Sequence, residues 1–94
     1  MIRFEWDPYK DLLNIKKHGV SFSEAQTVFF DEYALLFDDP DHSLNEERFN
    51  IIGLSAGDKV CLVTHCYRSE GDTIRIISAR KANALEKSIY YCSC

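Results

Sequence analysis

Residues 73–91 read TIRIISARKANALEKSIYY, a strand pattern that leads directly into a helical one. Ile74 and Ile76 alternate with Arg75 and Ile77, the two-residue period of a pleated strand. Ser78 fits an N-cap, because its hydroxyl can accept from an orphan N–H of a first helical turn. Ala82, Leu85 and Ile89 then recur at helical spacing, which predicts a buried helix face. Arg75 and Arg80 flank the junction. A guanidinium is a permanent cation with a planar donor fork that matches phosphate. In a chain of net charge −4, both arginines also suit ordinary salt bridges.

Upstream of this stretch, Val60 to Tyr67 is almost continuously apolar, the mark of a central strand covered on both faces. Residues 47–55 read as another strand, with Arg48, Asn50, Ile52 and Leu54 on one side, and Ala34 to Phe37 as a shorter one. Turn clusters separate them, among them Asp38-Asp39-Pro40-Asp41-His42-Ser43. At the other end Ile2, Phe4 and Trp6 mark a short strand. Asp7-Pro8 then opens a helix as N-cap and first helical residue, and Gly19 closes it. Tyr9, Leu12, Leu13 and the stem of Lys16 are expected inward, while Lys10, Asn14, Lys17 and His18 share an outer face. Ser21 and Glu24 form a capping box for a second helix. The order β-α-α-β-β-β-β-α, with hairpins in the second half and helices at the ends, is α+β with an antiparallel sheet. In a meander of these strands Arg48 and Arg75 point to one face, with Arg80 one turn away.

Ninety-four residues suggest one domain over 1–94, with a small core from 46% hydrophobic residues. No apolar run approaches the roughly 20 residues that span a bilayer, and MIRFEWD lacks a signal core. A soluble cytoplasmic protein is expected. The four cysteines read as incidental or buried thiols, since zinc-type spacings are absent. Charge is uneven: residues 1–20 carry +1, residues 21–47 carry −8 and residues 48–94 carry +3. The acidic middle repels nucleic acid or attracts a basic partner, while the ends can still build a cationic surface.

Three blocks, FEWDPYKDLLNIKKHGVSFSEA, DDPDHSLNEERFNIIG and IRIISARKANALEKSIYY, give the chain a resemblance to the BrnT family of bacterial type II toxins along nearly its whole length. The ending YYCSC and the residues Cys61 and Cys66 lie outside the resemblance. It implies a RelE-like fold, an antiparallel sheet with flanking helices. It also implies a ribonuclease that blocks translation, neutralised by a BrnA-type antitoxin that carries the DNA-binding domain of an autorepressor complex. Dimerisation of such an antitoxin favours a heterotetramer with two copies of each chain.

Metal-independent RNA cleavage needs a proton removed from the 2′-OH, a stabilised phosphorane and a protonated leaving oxygen. The resemblance assigns the phosphate clamp to Arg48, Arg75 and Arg80. Lys10, Lys17 and His18 are expected to hold RNA, with Lys17 or His18 also able to transfer a proton. His42, ringed in sequence by carboxylates that stabilise its imidazolium, and Glu46 are candidate acid and base. Tyr90 is a candidate for stacking on a base. No cofactor and no metal is expected, because no carboxylate cluster has two-metal spacing. The alternative is a non-catalytic binding module that pairs with a DNA-binding antitoxin.

Overall fold

The computed structural model describes residues 2–39 and 47–93. Strand β1 (Arg3–Glu5) leads into helix α1 (Pro8–His18). The short helix α2 (Phe22–Ala25) follows and continues as a 3-10 turn over Gln26–Phe30. Then come β2 (Leu35–Asp38), β3 (Phe49–Leu54), β4 (Val60–Arg68), β5 (Thr73–Lys81) and helix α3 (Ala84–Cys92). The five strands form one sheet in the order β1-β5-β4-β3-β2, which puts the apolar β4 at its centre.

The sheet is mixed, not purely antiparallel. β2 to β5 pair antiparallel, but β1 pairs parallel to β5, Arg3 opposite Thr73 and Glu5 opposite Arg75. The direction follows from where α1 must go. β1 ends after three residues, and α1 docks further along the same edge of β5, at Ala79. Only a β1 parallel to β5 delivers the chain there.

Each face of the sheet has its own apolar cluster. Val20, Phe22, Ala25 and Val28 pack on Ile51, Cys61, Val63, Ile76 and Ala79 on one side. On the other, Tyr90 and Ala82 pack on Ile52 and Val60. α3 covers only part of that second face. Tyr90 fixes it there: its hydroxyl donates to Asp31 Oδ2 at 2.6 Å, and the same oxygen accepts from Leu54 N at 2.8 Å. Burial pushes the Asp31 carboxyl up, but the Leu54 N–H, the Tyr90 hydroxyl and the Tyr33 N–H together hold it below its ordinary value.

Four local expectations are corrected. Ser78 is not a helix cap. β5 runs on to Lys81 because β4 is long enough to pair with it there, Leu62 opposite Arg80 and Cys61 opposite Lys81. The helix starts later, where Asn83 and Glu86 form a complete capping box. In α3, Leu85 is exposed and Glu86 and Tyr90 turn inward instead. In α1 the caps are as expected, Asp7 at the start and Gly19 at φ 72° at the end, but the helix is rotated. Its buried residue is Asn14, and Tyr9, Leu12 and Leu13 face solvent. The Ser21 cap bond to Glu24 N forms, whereas the Glu24 carboxylate binds Ser55 Oγ at 2.6 Å and Lys59 Nζ at 3.3 Å. It thereby ties α2 to the β3–β4 turn.

Candidate active site

The β4–β5 ladder slips by one residue: Thr64 faces Ser78, while His65 faces Ile76, so Ile77 is an extra residue in β5. Such a bulge reverses which side later residues face. Ile76 and Ala79 both reach the core, and Arg75 and Arg80, five positions apart, consequently lie on the opposite, second face. In a regular strand they would point apart.

On that face the strands align polar side chains in a row, Asn50 opposite Thr64 opposite Ser78, with Thr64 Oγ1 donating to Asn50 Oδ1 at 2.7 Å. Beside this row opens a cavity of about 440 Å³. Arg48 and Arg80, 32 positions apart in sequence, both line it, together with the row, Asp39 and Glu86. Arg80 is held in place. Its two terminal nitrogens donate to the two oxygens of Glu86 at 2.7 and 2.8 Å, and Nη1 also reaches Lys81 O at 3.3 Å. The Arg80 hydrogen bonds keep the Glu86 carboxyl below its usual range, and those bonds hold the Arg80 guanidinium charged. Glu86 is thus an ionised carboxylate that fixes the orientation of Arg80.

A second cavity, of about 240 Å³, lies between α1 and β5 and is lined by Lys10, Lys17 and His18. Ile77 and Ser78 border both cavities. The bulge is therefore a wall that the two cavities share, with Arg48 and Arg80 lining one and Lys10, Lys17 and His18 the other.

Arg75 and Tyr90 fall elsewhere. Arg75 lies on the same face but does not line the cavity. It pairs with Glu5 at 2.8 Å, and Arg68 reaches the same carboxylate at 3.6 Å. Tyr90 is 3% exposed with its hydroxyl engaged by Asp31, so it offers no ring face to a base and serves instead to seat α3. His42 and Glu46 lie outside the described residues. Glu86, Asn50, Thr64 and Ser78 were not singled out as site residues. Asn50 was placed with Arg48 by strand alternation, but the bulge that brings Ser78 and Arg80 beside them leaves no mark in hydrophobic periodicity. Among the described residues, no three His, Cys, Asp or Glu side chains gather as a metal-binding set.

The mixed α+β fold is that of a known ribonuclease toxin. The crystal structure of the Brucella abortus ribonuclease toxin, BrnT, superposes with a TM-score of 0.68 at 24% identity, covering 88% of this chain and 99% of that one. Residues 6–86 match the family described as ribonuclease toxin, BrnT, of type II toxin–antitoxin system, and the chain belongs to that family. No curated protein matches it in sequence. Membership in a type II toxin family implies an antitoxin partner.

Proposed function

We propose that the chain is a RelE-like, metal-independent endoribonuclease that inhibits translation, with the Arg48–Arg80 cavity as its phosphate site. One observation carries the reading: two distant arginines line a single open cavity, and Ile77 and Ser78 at the bulge also border a second one lined by Lys10, Lys17 and His18. A scissile phosphate in the first cavity places its growing negative charge against the two guanidinium groups. Arg80, oriented by Glu86, arrives pre-positioned, so little reorganisation is needed as charge develops. The RNA strand then runs over Ser78 toward Lys17 and Lys10, with His18 bordering its path as a proton-transfer group. Arg75, paired with Glu5 and away from the cavity, is not a member of this phosphate site.

In the same reading the partner is a BrnA-like antitoxin, assembled two-to-two with the toxin in the cytoplasm, and operator DNA is reached only through that antitoxin. The bidentate hold of Glu86 on Arg80 favours the alternative of a non-catalytic binding module, because a carboxylate already occupies one cation.

Cleavage of a defined RNA by the purified protein separates the two. Arg48→Ala and Arg80→Ala are each expected to lower the rate about 100- to 1000-fold, the usual effect of deleting one donor to a developing oxyanion, with unchanged far-UV circular dichroism. Folded variants that cut as well as the wild type overturn the phosphate-site assignment. Growth arrest on induction with intact RNA selects the binding module.

A further inference from the structure

Helix α1 is inside out. The side that meets the protein is polar. Asn14 is buried, Asp11 is half-buried and accepts from Phe22 N at 2.8 Å, and His18 is half-buried. At 100° per residue, the diametrically opposite stripe is Tyr9, Leu12, Leu13 and Lys16. Tyr9 is 68% exposed and Leu12 66%. A solvated helix face gains nothing from a tyrosine and two leucines, and a contiguous apolar stripe of this kind marks an interaction surface.

We infer that this stripe is the docking surface for an acidic amphipathic helix of the antitoxin, and that docking there closes the RNA path. Spacing i, i+3, i+4, i+7 is a ridge that seats against a second helix. Charge gives the sign of the partner. Lys10, Lys16 and Lys17 flank the stripe, a basic local surface on a chain of net charge −4, so a helix with carboxylates beside its apolar face is complementary. Two helical turns alone bury less than the ~1,200 Å² of a stable interface. The partner must therefore spread onto neighbouring ground, and Leu13 leads there, because it also lines the Lys10–Lys17–His18 cavity. This last step rests on the ribonuclease reading above; the docking step does not. A second copy of this chain is the less suitable occupant. Its acidic region would meet α1 head to tail, and such contacts polymerise unless they close.

The test uses the toxin and the antitoxin encoded beside it, with binding measured by calorimetry and RNA cleavage measured in parallel. The double variant Tyr9→Ser/Leu12→Ser, both positions outside either cavity, is expected to bind the antitoxin at least 100-fold more weakly. Lys16→Glu is expected to weaken binding about tenfold, the sign given by charge complementarity. Leu85→Ser, at a comparably exposed leucine on α3, is expected to bind as wild type. The double variant and Leu85→Ser should cleave RNA at the wild-type rate, and each variant should resist neutralisation in proportion to the lost affinity. Unchanged antitoxin binding by the double variant overturns the proposal, as does an equal loss in Leu85→Ser. Self-association of the wild-type toxin in sedimentation, abolished by the double variant, also overturns it. A wild-type toxin that binds antitoxin through α1 yet cuts no RNA leaves the docking surface standing and removes the ribonuclease reading.

Discussion

Asn14 does the work of a missing strand. β1 stops at Glu5, opposite Arg75, and the edge of β5 beyond it needs partners. The Asn14 side chain supplies them. Its amide nitrogen donates to Ala79 O and to Val20 O, both at 2.8 Å, and its carbonyl accepts from Ala79 N at 3.2 Å. A primary amide is the one side chain that reproduces both halves of a peptide group. Asn14→Ala leaves a buried N–H and two buried carbonyls without these partners and is expected to cost about 2–4 kcal/mol, read as a lower urea midpoint at constant slope. Asn14→Asp should not rescue it, since a carboxylate cannot donate to either carbonyl. Gly53 is constrained by space instead. A Cβ there would stand 2.9 Å from Val28 Cγ1 and 3.0 Å from Ala34 Cβ, so Gly53→Ala is expected to destabilise by about 1–3 kcal/mol in the same measurement.

At the scale of the element, β4 carries a buried titratable group that the site does not use. His65 is fully buried among Phe29, Phe49 and Tyr67, the nearest ring centroid 4.7 Å away. Nδ1 lies 3.1 Å from Val63 O and Nε2 3.3 Å from the Tyr67 hydroxyl. This arrangement suits a neutral ring with its proton on Nδ1. Burial lowers its pKa from 6.5, only partly offset by the Val63 carbonyl. The folded state therefore binds fewer protons than the unfolded one just below pH 6.5. The stability from neutral His65 is complete above that pH and declines as the pH falls through it. Denaturation midpoints of the wild type should drop between about pH 7.5 and 5.5, with a shallower drop in His65→Phe; parallel curves would refute the assignment. The apolar run of β4 and the Asp7 and Gly19 caps of α1 were plain in the sequence because local chemistry sets them. The rotation of α1 was not. Hydrophobic periodicity assumes that apolar residues face the fold, and here the hydrogen bonds that Asn14 donates to Val20 and Ala79 and that Asp11 accepts from Phe22 set the face. Ser78 misled similarly, since strand pairing to Leu62 and Thr64 outweighed a local cap preference.

Over the whole molecule, charge is sorted by the topology. The strand order puts β2 and the acidic residues around it, Asp31, Glu32 and Asp38, at one edge, with Asp39 reaching the Arg48–Arg80 cavity. β5 and α1, with Lys10, Lys16 and Lys17, lie toward the other. The Arg48–Arg80 cavity shares Ile77 and Ser78 with the cavity on that basic side, so the proposed RNA track lies on one side of a protein whose net charge is −4. Its affinity should then depend on salt through the few cations of the track and not through net charge. Four contacts, with Arg80 partly neutralised by Glu86, predict a log–log slope of about −2 to −3 for single-stranded RNA. Fluorescence anisotropy with a 2′-O-methyl RNA, which binds without being cut, measures this between about 50 and 200 mM KCl. Lys17→Ala should reduce the slope by about 0.7, the share of one phosphate contact on a single strand. Lys59→Ala, beside Glu24 on the β3–β4 turn, should leave it unchanged. A slope near zero, or equal effects of the two lysines, would mean that RNA does not follow the line from Arg48 to Lys10.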